Sequence, residues 1–359
     1  MHVAVEATRF ELDGRGIGRY VRALLPRMAA ARPDLRFTLF VKPGRVAALA
    51  RALATDDVLG AHCAVAPVRG LERVAADVRW FPWNVIRPIP RSGAVVVTMH
   101  DVTPLAMPDT RWIAWRARRR WRRLFAAAAA RATLVLADSQ FTASEVSRLL
   151  AVPPSRLRVV RLGADLVSSA PAAVGVEALS RLGVHAPFFL TVGADEPRKN
   201  LGILRRAMAR LNARELRAAL VLAGPRTRGG RFIHPDVPWC REIGFVSDGD
   251  LAALYRHAVA VVVPSHYEGF GLPVLEAMQS GAAVVCARTS SLPEVAGAAA
   301  AFIDPDDESG LVETLRRLLD DGPYRDALVL AGRARAAEFS WDDTARATLE
   351  VFDEARRLA

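Results

Sequence analysis

Short apolar runs alternate with longer amphipathic segments along nearly the whole chain. Five runs in the first half have the length and composition of buried strands: His2–Glu6, Arg36–Val41, Ala94–Met99, Thr133–Ala137 and Leu157–Arg161. Segments with helical periodicity separate them, for example Gly18–Ala31 and Phe141–Leu150. This alternation predicts a parallel sheet whose strands are joined by crossover helices.

The same alternation starts again in the second half. Strands are predicted at Phe188–Val192, Ala218–Ala223, Ala258–Val263, Ala283–Cys286 and Ala300–Ile303. Helices are predicted at Asn200–Asn212, Asp248–His257 and Gly310–Asp320. The pattern therefore predicts an α/β protein with two Rossmann-like, doubly wound parallel-sheet domains, and we expect them to face each other across a cleft.

Small, polar and proline residues between the two halves set the predicted domain boundaries. We expect a first domain over residues 1–165, a linker over 166–187 and a second domain over 188–338. A closing helix is expected over 339–359, with Ser340 as its N-cap. The pattern leaves open which domain this helix packs on, the first domain being one option.

Composition narrows the class of protein. The chain has 359 residues, 52 % of them hydrophobic, and three widely spaced cysteines without metal-ligand spacing. Neither a secretion signal nor a membrane-spanning segment is expected, which fits a cytoplasmic protein. The net charge of +11 is uneven, because residues 1–180 hold 27 Lys and Arg against 14 Asp and Glu, whereas residues 181–359 hold 22 against 24.

The densest chemical signal is the segment VVVPSHYEGFGLPVLEAMQSG in the second half. A buried strand leads into a glycine loop that carries Glu268, and Pro273 then opens a helix that carries Glu276. Backbone N–H groups at such a loop and helix start bind anions, and two carboxylates beside them can bind sugar hydroxyls. Chemistry alone leaves open that Glu276 caps its helix and that Glu268 is a solvated loop acid.

The spacing Glu268-x7-Glu276 resembles the E-x7-E signature of the retaining glycosyltransferases of family 4, which have the GT-B fold. Other segments resemble that family in the same order, and they cover nearly the whole chain: GRGIGRYVRAL, TMHDVTPL, ADSQFTASEV, VGADEPRKNLGILRRAM, GFVSDGDLAALYRHA, SSLPEVAG and FSWDDTA. The GIGRY and EPRKN segments are similar to those of bacterial mannosyltransferases.

This resemblance implies roles for residues of the second domain. Glu268 would contact hydroxyls of the transferred sugar, Glu276 would bind the donor ribose, and Arg198 and Lys199 would neutralise the diphosphate, with Glu268, Lys199 and Arg198 counted as catalytic. The other implied donor-binding residues are Gly193, Gly244, Phe245, Val246, Gly269, Phe270, Gly271 and Leu272. One departure is Ala194, because many relatives carry arginine directly after the glycine that corresponds to Gly193.

The resemblance also assigns residues of the first domain. His100 follows the predicted strand Ala94–Met99, counted as the fourth, and is implied as a catalytic residue that contacts the donor sugar. Gly16 lies in a loop expected to approach the donor phosphates. The candidate acceptor residues are Asp101, Ile17 and Arg19.

Eight arginines and three tryptophans occupy residues Arg111–Arg131, without an acid. This composition indicates contact with an anionic membrane surface, while a solvated helix with packed tryptophans is the simpler alternative. No nucleic-acid-binding motif accompanies it, so no nucleic acid partner is expected.

Asp304–Pro305–Asp306 resembles the DxD metal motif of other glycosyltransferases, but it follows a short strand and is expected to cap the helix Gly310–Asp320. No metal and no cofactor are expected. The sequence thus predicts a retaining, metal-independent glycosyltransferase that transfers a hexose to a glycan, lipid-linked or small-molecule acceptor. GDP-mannose is the first candidate donor. The expected location is the cytoplasm or the inner face of a membrane. The alternatives are a nucleotide-sugar epimerase of the same fold and a non-enzymatic binder of anionic surfaces or nucleic acid.

Overall fold

The computed structural model describes residues 1–10, 16–107, 115–164, 172–225 and 237–359. The chain forms two compact units. One consists of Met1–Gly163 together with Ser340–Ala359, and the other of Ala164–Phe339. Gly14 and the first four residues of the predicted arginine-rich helix lie outside the described residues.

The first unit is built on a parallel sheet of seven described strands. In chain order they are β1 (His2–Glu6), β2 (Arg36–Val41), β3 (Cys63–Pro67), β4 (Val78–Phe81), β5 (Ala94–Met99), β6 (Leu134–Ala137) and β7 (Leu157–Val159). They lie in the order β3-β2-β1-β4-β5-β6-β7. Helices α1 (Gly16–Ala31), α2 (Val46–Ala54), α3 (Thr103–Ala106), α4 (Trp115–Arg131) and α5 (Gln140–Leu150) connect or follow them.

The second unit repeats this plan with six described parallel strands. They are β8 (Phe188–Val192), β9 (Ala219–Ala223), β10 (Cys240–Gly244), β11 (Ala260–Val263), β12 (Val284–Ala287) and β13 (Ala301–Ile303), in the order β10-β9-β8-β11-β12-β13. The helices are α6 (Ala172–Leu182), α7 (Leu201–Leu211), α8 (Asp248–His257), α9 (Leu272–Ser280), α10 (Leu292–Ala296), α11 (Glu308–Asp320) and α12 (Gly322–Ala336). The prediction of two parallel-sheet, Rossmann-like domains is therefore confirmed.

Three strands, β3, β4 and β10, are absent from the predicted set, and a physical reason explains why the sequence pattern did not indicate each of them. β3 and β10 are edge strands that are partly exposed, so they lack a continuous apolar run. β4 is central and fully buried, but it contains Arg79, whose burial lowers its pKa. Because β3 and β4 precede it, the strand before His100 is the fifth along the chain rather than the fourth.

The predicted linker over residues 166–187 contains a helix. α6 (Ala172–Leu182) packs against α8 within the second unit. Sequence reasoning gave weight to the proline, glycine and serine residues of this segment. It missed Val176, Leu179 and Leu182, which follow helical spacing.

The last helix, α13 (Trp341–Leu358), belongs to the first unit and packs along α1. Ser340 is its N-cap, and its side chain accepts from the Asp342 and Asp343 N–H groups at 3.0 and 3.3 Å. Trp341 and Phe352 are buried, and the Phe352 ring lies 5.5 Å from that of Trp80 on β4. A Cβ at Gly163 would lie 2.2 Å from the Trp341 nitrogen, so the chain can approach the start of α13 only with glycine there.

Candidate active site

Glu268 lies in the loop that joins β11 to α9, and only 6 % of it is exposed. Its carboxylate accepts from Lys199 Nζ at 2.6 Å, from Arg198 Nη1 at 2.8 Å and from Ser265 Oγ at 2.8 Å. Burial alone would raise the pKa of Glu268, but the two cations and the hydroxyl outweigh it and lower the pKa to about 2. Glu268 is thus a fully ionised, immobilised carboxylate, not a solvated loop acid.

Arg198 and Lys199 are brought to Glu268 by the tight turn Pro197–Lys199, which follows β8. The turn ends at Asn200, which adopts a left-handed conformation with φ of 53°. The Arg198 carbonyl accepts from the His266 N–H at 2.8 Å, so the turn is bonded to the loop that carries Glu268. Both cations are held by backbone geometry, and neither is an ordinary surface charge.

Glu276 lies in α9 and is also buried. The Tyr255 hydroxyl of α8 donates to Glu276 Oε2 at 2.9 Å. The helix follows Gly271 (φ of 107°), starts at Leu272 with Pro273 in its first turn, and ends at Ser280 with Gly281 as its C-cap. Glu276 therefore sits in the second turn of α9, where the Tyr255 hydroxyl holds its carboxylate.

Ser290 and Ser291, at the start of the segment SSLPEVAG, fix the glycine loop before α9. The Glu268 N–H donates to Ser290 Oγ at 3.0 Å. The Ser291 hydroxyl lies 2.9 Å from the Glu268 carbonyl oxygen and 2.8 Å from that of Phe270. Gly269, Phe270, Gly271 and Leu272 are thus held in a defined backbone path at the carboxyl end of the sheet.

Three glycines end three neighbouring strands of the second sheet. Gly193 follows β8 and donates to the Ala223 carbonyl at 2.8 Å, and Gly224 follows β9 and donates to the Gly244 carbonyl at 2.8 Å. A Cβ at Gly224 would lie 2.1 Å from the Gly193 oxygen, so this contact requires glycine. Next to them, Phe245 is 61 % exposed and Val246 is half-buried.

In the first unit, His100 follows β5 and its ring is held at both nitrogens. Nδ1 lies 2.6 Å from Asp138 Oδ2, and Nε2 lies 3.1 Å from the Pro82 carbonyl oxygen. Burial alone would lower the pKa of His100, but Asp138 and both hydrogen bonds outweigh it and raise the pKa. Because an ionised carboxylate and a carbonyl can only accept, this environment favours the doubly protonated ring.

Sequence reasoning missed two polar residues that follow or end strands of the first sheet. The Asn84 amide accepts from the His100 N–H and donates to the Asp101 carbonyl, both at 2.8 Å. Glu6, the last residue of β1, is buried, and it accepts from the Trp83 indole and from the Thr8 N–H. Burial raises the pKa of Glu6 to about 7. Position at the carboxyl end of a predicted strand was the available signal for Glu6, whereas no local pattern marks Asn84.

The remaining predicted residues of the first unit are less enclosed. The Asp101 carboxylate accepts from the Thr103 N–H at 2.9 Å, at the start of α3. Gly16 is the first residue of α1, which also contains Ile17 and the half-buried Arg19. The side chain of Ile17 lies outside the described residues.

Asp304–Pro305–Asp306 does not cap α11, contrary to the prediction. Asp307 is the N-cap, because its side chain accepts from the Gly310 N–H at 2.9 Å, whereas Asp304 accepts from the Asp306 N–H within its own turn. An N-cap side chain bonds an N–H two or three residues after it. Because α11 starts at Glu308, Asp307 is the residue in the N-cap position. Among the described residues, no group of three His, Cys, Asp or Glu side chains could hold a metal ion.

The described part of the arginine-rich segment is the helix α4, and Trp115, its first residue, is 57 % exposed. Trp121 packs beside Phe125, with ring centroids 5.5 Å apart. Within the described ranges, no helix combines the length and apolar character needed to span a bilayer.

Two family models together match most of the chain. The model described as "Glycosyltransferase Family 4" matches residues 14–168, and the model described as "Glycosyl transferases group 1" matches residues 180–335.

Curated relatives match about three fifths of the chain. The O-antigen chain mannosyltransferase B of Escherichia coli is 35 % identical over 62 % of this chain and 60 % of that protein. A D-inositol 3-phosphate glycosyltransferase of a Nocardioides species is 32 % identical over 63 % of this chain and 54 % of its own length. The MMP alpha-(1->4)-mannosyltransferase of Mycolicibacterium hassiacum is 35 % identical over 62 % of this chain and 54 % of that protein. The matches thus span between about half and three fifths of these relatives.

Solved structures share the fold. The sucrose-phosphate synthase from Thermosynechococcus elongatus superposes with a TM-score of 0.75 at 19 % identity, over 99 % of this chain and 98 % of its own. WaaG, a glycosyltransferase involved in lipopolysaccharide biosynthesis, gives a TM-score of 0.72 at 16 % identity, over 98 % of this chain and 99 % of its own. Anabaena HepE in complex with UDP and glucose gives a TM-score of 0.74 at 16 % identity, over 99 % of this chain and 100 % of its own. The predicted GT-B fold is confirmed.

Proposed function

Because the chain belongs to the glycosyltransferases with a family 4 domain and a group 1 domain, we propose that it transfers a hexosyl group from a nucleotide-diphosphate sugar with retention of configuration. The observation that carries this proposal is the ionised Glu268 held by Lys199, Arg198 and Ser265. Beside this cluster lie the fixed glycine loop and the start of α9, where N–H groups suit an anionic ligand.

For the donor, we propose GDP-mannose. Two of the relatives described above are named mannosyltransferases, which supports mannose as the sugar. UDP-sugars and a rhamnose donor are the alternatives that the experiment below separates.

Each charged side chain has a role that its position supports. Leaving-group charge grows on the diphosphate in the transition state, and cations held in place beforehand stabilise it without reorganisation. Arg198 and Lys199 supply this charge, and Glu268 positions them while it accepts from hydroxyls of the sugar. Glu276 accepts from the ribose hydroxyls, and the backbone N–H groups of Gly269–Leu272 bind sugar and phosphate oxygens.

We propose that transfer is metal-independent and occurs by attack on the face that the diphosphate leaves. In such a step the acceptor oxygen forms the new bond to the anomeric carbon while the bond to the diphosphate oxygen breaks. The departing phosphate oxygen takes the acceptor proton. No enzyme nucleophile is needed in this scheme, and both ring nitrogens of His100 are bonded within the first unit, to Asp138 and to the Pro82 carbonyl.

The acceptor, in this proposal, is a glycan or a lipid-linked sugar bound by the first unit, with Asp101, Ile17 and Arg19 as candidate contacts. The excess positive charge of residues 1–180 and the arginines of α4 support an anionic partner on this unit. We place the protein in the cytoplasm and at the inner face of an anionic membrane.

The donor is identified by thermal-shift measurements with GDP-, UDP- and dTDP-sugars, because a ligand that binds only the folded state raises the midpoint of unfolding. NMR of the product of the best donor then shows the anomeric configuration. Retention supports the proposal and inversion contradicts it. Release of a free, epimerised sugar without an acceptor would instead identify an epimerase.

A further inference from the structure

Four arginines of α4 project toward one concave surface of the first unit. Arg116, Arg119, Arg120 and Arg123 follow the spacing that places residues on one face of a helix. Arg87, from the segment between β4 and β5, also lines this surface, and Trp115 and Leu124 complete the lining. We call this surface the arginine groove, and its volume is about 390 Å³.

The arginine groove carries a net positive charge within the part of the chain that the structure describes. None of its five guanidinium groups has an acidic partner among the residues that the structure describes. Elsewhere in the same unit, Arg32 pairs with Asp353 and Arg158 pairs with Glu354. Like charges at helical spacing of three and four residues destabilise a helix, so this arrangement costs stability when nothing anionic is bound.

The chemistry of the groove points to phosphate. Guanidinium groups bind phosphate oxygens through paired N–H donors, and they keep their charge at all relevant pH values. The volume falls in the range of small-ligand pockets, so it can hold a phosphate or a diphosphate group.

Trp115 adds a second, independent feature. The guanidinium carbons of Arg116 and Arg119 lie 5.5 and 5.7 Å from its ring centroid, so the indole orients two of the five cations. Its exposed position at the rim gives an apolar surface next to the charges, and tryptophan favours such boundaries between headgroups and acyl chains.

We propose that the arginine groove is a discrete binding site for a phosphate monoester or diphosphate group. This inference rests on the proposed function only in that a lipid-borne phosphate would bring a membrane acceptor to the first unit. A diffuse electrostatic surface would depend on the total charge of α4, whereas a discrete site depends on the arginines that line the groove.

α4 itself offers a matched control for this distinction. Arg122 and Arg131 are exposed residues of the same helix that do not line the groove. The double variant Arg120→Ala, Arg123→Ala removes two groove charges. The double variant Arg122→Ala, Arg131→Ala removes the same charge from outside it.

The test is co-flotation of both double variants and the unchanged protein with three kinds of vesicle: phosphatidylcholine alone, phosphatidylcholine with 20 % phosphatidic acid, and phosphatidylcholine with 20 % phosphatidylglycerol. Inorganic pyrophosphate is titrated in parallel by calorimetry without vesicles. We expect the groove variant to lose at least tenfold in affinity for phosphatidic acid vesicles or for pyrophosphate, and the control variant to lose less than twofold.

The two probes also separate the sources of the phosphate. Binding to phosphatidic acid vesicles that exceeds binding to phosphatidylglycerol vesicles indicates a lipid headgroup, while binding of pyrophosphate alone indicates a soluble ligand. Equal losses in the two double variants, or binding of neither probe, would overturn the discrete site. The thermal shift with nucleotide sugars, measured on the same variants, should not change. A protein that binds no nucleotide sugar would refute the proposed function and leave the groove result intact.

Discussion

Glu6 and Glu268 are both buried glutamates at the carboxyl end of a parallel sheet, one in each unit, and they have opposite charge behaviour. Glu6 is 4 % exposed and Glu268 is 6 % exposed, so the loss of water is similar. Burial raises the pKa of Glu6 to about 7, whereas the cations around Glu268 overcome burial and lower its pKa to about 2. The hydrogen-bond donors decide the charge state. Glu6 accepts from a neutral indole and a backbone N–H, whereas Glu268 accepts from the cations Lys199 and Arg198.

The difference matches two kinds of chemistry. A carboxylate that is ionised at every working pH suits a site that binds sugar hydroxyls beside fixed cations. A carboxyl group with a pKa of about 7 gains or loses its proton near neutral pH, so the charge of Glu6 in the first unit responds to pH in this range. The stability of the protein should therefore respond to pH through both residues, in opposite directions.

The largest expected effect comes from Glu268→Ala, which removes the carboxylate and leaves two cations in a desolvated site. We expect sugar transfer to fall by a factor on the order of 100 or more and the free energy of unfolding to fall by about 3 kcal/mol. Donor consumption and chemical unfolding measure the two effects. Glu313→Ala, at a carboxylate that is 73 % exposed, is the control and should change neither. Normal turnover in Glu268→Ala would remove Glu268 from the catalytic machinery.

Lys199→Ala should make Glu268 resemble Glu6, because it removes the nearest cation from a buried carboxylate. The folded-state pKa of Glu268 lies below its ordinary value, so its ionisation stabilises the protein above about pH 4.5, and this contribution is lost as the pH falls toward 2. In Lys199→Ala we expect this acid-dependent loss to shrink by about 2 kcal/mol, as measured by denaturant unfolding between pH 2.5 and 6. Lys42, the only other lysine of the chain, provides the control, and Lys42→Ala should follow the unchanged protein. Identical acid profiles for all three proteins would show that Lys199 does not hold Glu268 ionised.

Glu6→Gln tests the other half of the comparison. The folded-state pKa of Glu6 lies above its ordinary value, so its contribution to stability is fully present below about pH 4.5 and is lost as the pH rises through 7. A glutamine does not ionise, so the variant should gain about 2 kcal/mol relative to the unchanged protein between pH 5 and pH 9. Unfolding free energies at the two pH values measure this. A constant difference between the two proteins would mean that Glu6 does not titrate in this range.

Asp138→Asn should give the smallest effect, a change in the titration of His100 with little change in stability at neutral pH. Without the carboxylate, burial dominates and the pKa of His100 should fall below its value in the unchanged protein. NMR titration of the ring protons reports this directly. An unchanged titration would show that Asp138 does not support the charged ring.

Strands with continuous apolar, β-branched sequences could be predicted to the residue. Ala94–Met99 and Phe188–Val192 have the predicted bounds, because runs buried on both faces leave few alternatives. β4 was missed because its Arg79 is buried, a property of the surrounding fold and not of the local sequence.

The sequence could suggest residues for the candidate site, but it could not give the contacts among them. Glu268, Arg198 and Lys199 were identified from motifs, but the bonds among them join positions about 70 residues apart, which only the sheet topology brings together. Asn84 could not have been found from the sequence, since its bonds to His100 and Asp101 depend on strands β4 and β5 lying side by side. The bond between Trp83 and Glu6 likewise depends on β1 and β4 being neighbours. Position after a strand was sufficient to suggest His100.

The most direct test of the central claim is the dissociation constant of GDP-mannose, measured by calorimetry for the unchanged protein, Lys199→Ala and Lys42→Ala. If the Glu268, Arg198 and Lys199 cluster is the donor site, binding should weaken at least tenfold in Lys199→Ala and stay within twofold in Lys42→Ala. Equal affinity in Lys199→Ala and the unchanged protein would contradict the assignment of this cluster to the donor diphosphate. Binding of another nucleotide sugar with the same dependence on Lys199 would keep the site and change the donor.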